Sequence, residues 1–187
     1  NYNRRGDEDK ALMYYNQSLE IYKKIGDKSG VATSLNNIAF VYNEKGKVQK
    51  ALSYYHKSLK LYQRLGEEEG VATCFNNLGS IYDEEASRML KKGINESKVE
   101  QKRAQALDYY NKSLKLHEKL SDRQGLSIAL NNIATIYFYQ GKLDEAKENV
   151  LRSLSLAQGI GFPSEIAGAA QLLSSVYEKE ENGMLAL

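Results

Sequence analysis

Three pairs of adjacent asparagines, Asn36–Asn37, Asn76–Asn77 and Asn131–Asn132, sit inside phrases of one kind, SLNNIAFVY, CFNNLGSIY and ALNNIATIY. A side-chain amide both donates and accepts hydrogen bonds, so a row of them can pair with the backbone of an extended peptide whatever its side chains. On this reading Asn37, Asn77 and Asn132 form the rail, with Asn36, Asn76 and Asn131 beside them. The competing reading is that one member of each pair bonds a neighbouring helix and fixes the angle between repeats.

Reactive chemistry is otherwise sparse. His56 and His117 occupy different places within their phrases and have no cysteine or carboxylate at ligand spacing, so packing or surface roles are expected, with no metal and no cofactor. His117 stands where Tyr22 and Tyr62 stand in related phrases. Cys74 takes the slot of Ser34 and has no general base in view, so it reads as a small helix residue. The GIGFP stretch from Gly159 lacks the strand that a phosphate loop would follow. The tyrosine pairs Tyr14–Tyr15, Tyr54–Tyr55 and Tyr109–Tyr110 are expected to place one ring in the core and one on the outer surface. A base-stacking role would need surrounding basic residues. No catalysis is expected.

The bulk properties set the frame. Lysines and arginines number 26 against 24 carboxylates, a balance that names neither nucleic acid nor an anionic membrane as partner. No apolar run approaches the length of a membrane span, so no membrane insertion is expected. A single cysteine excludes an internal disulfide and leaves the compartment open. The opening residues NYNRRGDEDK carry no initiator methionine and no secretion signal, and the sequence reads as an excerpt from a longer protein.

The elements that must position the asparagines follow from a repeat. Ala11, Ala51, Ala106 and Ala146 open related phrases at spacings of 40, 55 and 40 residues. Periods of this size mark stacked supersecondary units, none able to bury its own apolar face. Leu35, Ile38, Ala39 and Tyr42 line one face of a helix, and Ala51, Tyr55 and Ser58 line one face of a second after the NEKGK turn. Gly26, Gly66 and Gly161 fall where left-handed caps would end helices, with Ser121 in the corresponding place of the third unit. Asp27, Glu67, Asp122 and Ser164 follow as acceptors or charge at the next helix start. No segment reads as a strand.

These residues resemble the tetratricopeptide repeat, whose pattern of a leucine, a small residue, an aromatic and then alanine and an aromatic is met by Leu35, Ile38, Ala39, Tyr42, Ala51 and Tyr55. Phe75, Leu78, Gly79, Tyr82, Ala106 and Tyr110 repeat it, as do Leu130, Ile133, Ala134, Tyr137, Ala146 and Val150. The long period is similar to that of kinesin light chains, Leu-Gly-Asn-type regulators and bacterial sensor proteins. The resemblance implies an all-α, right-handed solenoid of antiparallel helix pairs. It divides into a partial unit 1–26, units 27–66, 67–121 and 122–161, and a partial unit 162–187. It also implies a concave wall built from each first helix, at Thr33, Asn36, Asn37, Phe40, Asn43 and Glu44, then Thr73, Asn76, Asn77, Ser80, Asp83 and Glu84, then Ile128, Asn131, Asn132, Thr135, Phe138 and Tyr139. None of these positions is lysine or arginine. Glu44, Asp83 and Glu84 make the wall acidic while Phe40, Phe138 and Tyr139 offer apolar anchors, so the expected partner is a peptide or protein with basic and apolar side chains. The chain would then be the recognition part of a larger signalling protein, its output domain outside this stretch.

The middle spacing carries fifteen extra residues between Tyr82 and Ala106. They are expected to extend the first helix to about Lys92, break at Gly93, and start a second helix near Asn95 with Ser97 and Glu100 as a capping box. Six basic residues from Arg88 to Arg103 against Glu96 and Glu100 make the inserted hairpin, about 86–103, a basic finger. A second reading of the whole keeps the fold and has the chain self-associate as a homodimer through convex tyrosines or this finger.

Overall fold

The computed structural model describes the backbone of residues 2–185 and the side chains of residues 7–182. Among the described residues the elements are all helices: α1 (Tyr2–Ile25), α2 (Lys28–Glu44), α3 (Val48–Leu65), α4 (Glu68–Lys91), α5 (Glu96–Leu120), α6 (Arg123–Tyr139), α7 (Leu143–Ile160) and α8 (Pro163–Leu185). The fold is an all-α solenoid. Its helices fall into two compact units, Asn1–Ile81 and Tyr82–Leu187, with the division inside α4.

One junction is used throughout. After each of the first seven helices a single residue turns left-handed, with φ between 55° and 75°: Gly26, Gly46, Gly66, Gly93, Ser121, Gly141 and Gly161. The next amide then reaches back five residues, as Asp27 N–H does to Tyr22 O at 3.0 Å and Ile94 N–H to Met89 O at 3.1 Å. This is the Schellman pattern, which satisfies carbonyls that a helix end would leave bare. Ser121 is the one non-glycine among the seven. Side-chain caps then start the following helix: Asp27 accepts from Gly30 N, and Asp122 from Gln124 N and Gly125 N. Ser164 does not cap. Pro163 takes the first turn of α8, where a missing N–H costs nothing, and Phe162 O receives the Ile166 amide. At α5 the cap is Asn95, whose side chain accepts from Ser97 N at 2.8 Å, and not the Ser97–Glu100 box; Glu100 pairs instead with Arg103 and Gln140.

In unit 1, α2 packs against both α1 and α3. Ala32, Ile38, Ala39 and Val41 of α2 and Ala51, Tyr55, Ser58 and Leu59 of α3 are all buried. Where the two backbones come close, Ser58 Oγ donates to Ala32 O at 2.7 Å. In unit 2, α6 packs on α5, α7 and α8. Tyr110, Ile133 and Ile136 form one core cluster there, and Ala134, Val150 and Ala169 another. Ser127 and Ser153 bond each other's carbonyls at 3.1 and 2.7 Å across α6 and α7. The serine of the KSL and RSL phrases is thus a helix-to-helix bolt.

The helices also meet at glycine. A Cβ on Gly30 would overlap the ring of Tyr22, one on Gly70 the ring of Tyr62, and one on Gly125 the imidazole of His117. Each aromatic lies eight residues before its glycine, so the motif is local and repeats with the units. His117 is therefore a packing residue, as expected. It is buried, and its Nδ1 lies 2.8 Å from Asp122 Oδ2.

Tyr55 and Tyr110 are buried as expected, but Tyr54 and Tyr109 are not free outer rings. Tyr54 stacks on Tyr42 at 5.4 Å with Lys57 and Lys50 over the two rings, and Tyr109 stacks on Tyr82 at 5.6 Å with Lys112 and Lys102 over them. Each helix pair so closed gains an offset aromatic contact with ammonium caps. The α6–α7 pair has Asn149 in the place of the second tyrosine and keeps only Lys142 over Tyr137.

Candidate functional site

Each helix that carries an asparagine pair leaves a polar strip open. On α2 it runs through Thr33, Asn37, Phe40 and Glu44, spaced four, three and four, which is one helical face. The adjoining face, Ser34, Ile38 and Val41, is buried. Phe40 is 53 % exposed on this strip, in a helix whose other large aliphatic side chains are turned inward or half-buried. Asn37 is half-buried next to it. Thr33 is fixed at one end, donating to Ser29 O at 3.1 Å and sharing a 2.8 Å hydrogen bond with the Tyr62 hydroxyl. Asn43 is buried, at 9 % exposure.

Asn36, at the edge of the strip, is committed within the protein. Its Oδ1 accepts from Asn77 Nδ2 at 3.2 Å and from the Cys74 thiol at 3.6 Å, joining α2 to the first part of α4. Cys74 is fully buried and also donates to Ser58 Oγ at 3.4 Å. Burial pushes its thiol up to about 11, with the Ser58 bond pulling slightly the other way, so almost no thiolate exists at neutral pH. On the same part of α4, Thr73 is exposed while Asn76, Asn77 and Ser80 are half-buried.

In unit 2 the corresponding strip of α6 holds Ile128, Asn131, Asn132, Thr135, Phe138 and Tyr139. Tyr139 is 48 % exposed. It meets Phe138 edge-on at 5.7 Å, the Arg103 guanidinium lies 5.1 Å from its centroid, and the Lys179 ammonium lies 4.9 Å from that of Phe138. These cations arrive from α5 and α8, so no inspection of the α6 positions alone could reveal them. Arg103 is 5 % exposed and belongs to the interior, not to the basic surface of the finger. It bonds Glu100 at 2.7 Å, and Glu100 accepts from Gln140 at 3.0 Å. Asp83 lies within this group. Burial raises its carboxyl above the ordinary aspartate range, the charge of Arg103 pulls it down in part, and Glu84 adds to the rise. Glu84 is exposed.

Asn131 Oδ1 is buried and has no hydrogen-bond partner among the described residues. In unit 1 the equivalent oxygen, on Asn36, takes its donor from the second asparagine of the following first helix. Forty residues after Asn132 that slot is Leu172, which packs against the Ala134 cluster and has no side-chain donor. Among the described residues no group of three or more histidine, cysteine or carboxylate side chains could hold a metal, and no helix is long and apolar enough to cross a membrane.

The tetratricopeptide repeat family matches residues 30–95 and 96–159. Among solved structures the chain is similar to BtubC (BKLC) from P. vanneervenii, with 24% identity and a TM-score of 0.73 over 94% of this chain and 67% of that one. It is also similar to a putative kinesin light chain from Podosopora anserina with nearly identical TPR-like repeats, at 16% identity and a TM-score of 0.64 over 99% and 84% of the two chains. The de novo designed helical repeat protein DHR81 aligns at 18% identity with a TM-score of 0.50 over 94% and 88%. At these identities the likeness is one of fold. No match was found among curated proteins.

Proposed function

Because this chain belongs to the tetratricopeptide repeat family, whose repeats are generally protein-interaction scaffolds and typically not enzymes, we propose that it binds an extended peptide or a partner helix along the open strips of its first helices. The chain is taken as one array, with units 27–66, 67–121 and 122–161 between partial units, serving as the recognition part of a larger signalling protein. The observation that carries the proposal is Phe40: a ring more than half exposed on a strip it shares with Asn37, Thr33 and Glu44. An apolar ring beside an amide suits a peptide, since the ring takes a side chain while the amide pairs with its backbone. On α6 Tyr139 and Asn132 repeat the combination. Glu44 and Glu84, both exposed, favour basic side chains in the ligand. Asn36 and Asn77 help by holding α2 and α4 in register, so the strip is pre-organised and little ordering is lost on binding.

The test uses synthetic peptides that alternate lysine or arginine with leucine or phenylalanine, titrated against the full chain by fluorescence anisotropy. Phe40→Ala should weaken binding about tenfold or more, the typical effect of removing an aromatic anchor. The thermal midpoint should not move. A peptide that binds Phe40→Ala and Asn37→Ala as well as the parent chain would remove the strip from consideration. Acidic peptides of the same length should bind worse, and a preference for them would overturn the charge assignment.

A further inference from the structure

The inserted hairpin has a tip that the strips do not use. Every residue from Leu90 to Lys98 is exposed, across the end of α4, the Gly93 turn and the start of α5. Leu90 is 50 % exposed and Ile94 37 %. Of the other exposed aliphatics, Ile25, Leu65, Leu120 and Ile160 each directly precede a left-handed junction residue, while Ile21 and Leu151 lie within α1 and α7. Leu90 and Ile94 have no counterpart in the units without the insertion. They are held by the Schellman turn, in which the Ile94 amide reaches Met89 O, a geometry that brings residues 89 and 94 together.

Three lysines surround them. Lys91, Lys92 and Lys98 are exposed, and none has an ion pair among the described residues, in contrast to Lys102 of the hairpin stem and to Lys112 and Lys147. Lys102 pairs with Glu85 at 2.8 Å, Lys112 with Asp108 at 2.6 Å and Lys147 with Glu180 at 3.0 Å. Arg88 lies 4.0 Å from Glu84 and Arg103 is buried, so the free charge of the finger is concentrated at its end, against Glu96 alone. The α4 helix dipole accounts for lysines at its last turn. It does not account for Lys98, which lies in the first turn of α5, or for bare aliphatics between the lysines.

We infer that this tip docks on an anionic lipid bilayer surface, with Leu90 and Ile94 entering the interfacial layer and Lys91, Lys92 and Lys98 resting on the headgroups. The area argues for lipid over protein. A specific protein interface needs about 800 Å² per partner, far more than two aliphatic side chains and three lysines at a hairpin end can supply. A bilayer accepts a few side chains end-on. Each basic residue near an anionic surface is worth about 1 kcal/mol, or about fivefold, so three give on the order of a hundredfold preference for anionic over neutral lipid. This is surface docking, not insertion of a span. It is independent of the peptide-binding strips.

The experiment is partition of the full chain onto phosphatidylcholine vesicles with and without phosphatidylserine, read by co-sedimentation. Binding to the anionic vesicles should exceed that to neutral ones by about a hundredfold and fall with added salt. Charge reversal of the three lysines (K91E, K92E, K98E) should abolish it, and so should Leu90→Ser with Ile94→Ser, while Phe40→Ala changes nothing. Circular dichroism of each variant checks that the fold is intact. The sequence contains no tryptophan, so Ile94→Trp gives a lone reporter whose emission should shift to the blue on anionic vesicles. No partition by the parent chain, partition unaffected by the tip variants, or an Ile94→Trp spectrum that stays water-like would each overturn the inference. Capture of an acidic peptide by the three lysines in place of vesicles would overturn it in favour of a protein partner.

Discussion

Gly70→Ala tests the packing logic of the repeats because two rules give opposite signs. By helix propensity the change is favourable by up to about 1 kcal/mol, since alanine in a helix loses less backbone freedom than glycine. The structure says otherwise. The new methyl would overlap three ring carbons of Tyr62, which is buried at the α3 end facing α4. That ring cannot swing aside cheaply, because its hydroxyl is held by Thr33 at 2.8 Å. Overpacking of this kind costs about 1–3 kcal/mol, and a ring pinned at its far end belongs near the top of that range. Subtracting the propensity gain leaves a net loss of about 2 kcal/mol. Urea unfolding followed by circular dichroism should show a lower midpoint for Gly70→Ala. In the background of Tyr62→Ala the same methyl has open space, so only the propensity gain remains and its effect should turn favourable, and the cycle should give a coupling of about 3 kcal/mol, the whole overpacking cost. Gly70→Ala at or above parental stability, or a penalty that survives removal of the Tyr62 ring, would refute the close approach as the reason for the glycine. Gly30 and Gly125 offer the same experiment against Tyr22 and His117.

The stacked and buried tyrosines should separate in cost. Tyr110→Ala, at 2 % exposure, should lose about 3–5 kcal/mol, whereas Tyr82→Ala, half-buried and stacked on Tyr109, should lose clearly less, and equal losses in urea titrations would contradict the assigned faces. Asp83 gives a pH test. Its folded carboxyl is raised above the unfolded value, so the folded state holds the proton more tightly and stability falls as pH rises through that window. Asp83→Asn should therefore melt higher than the parent at neutral pH, with the gap closing as pH drops below the ordinary aspartate range; a gap that widens in acid would show that the charged form is the favoured one.

The helix pairs could be read from the sequence because their signals are local. Left-handed turns at Gly26, Gly66 and Gly161, the small Ala51 and Ala146, and the buried serines of the KSL and RSL phrases all act within a unit or against an adjoining helix. The glycine under each aromatic was equally local, eight residues from Tyr22 or Tyr62, but its meaning appears only when the chain reverses and brings the ring over it. The charges around the strips were the least legible part. Arg103 looked like one more basic residue of the finger, and only the fold reveals that it is buried against Tyr139 and Glu100. Lys179 reaches Phe138 from forty-one residues away. Asn131 shows the converse case: it shares the stretch LNNIA with Asn36, yet its partner slot on the next helix is leucine, so like stretches have unlike environments.

The lengths of α4 and α5 carry a last consequence. They have 24 and 25 residues against 17 and 18 for α2 and α3, seven more in each arm. Seven residues make almost two complete revolutions at 3.6 per turn, so the lengthened arms return their side chains to nearly the original azimuth. The tyrosine stack at the root of the hairpin keeps its phase whether or not the extra revolutions are there. Hairpin reach is thus a quantity that can be dialled in double-revolution steps without redesigning the joints, and trimming both arms together should yield a shorter protein with the same wall.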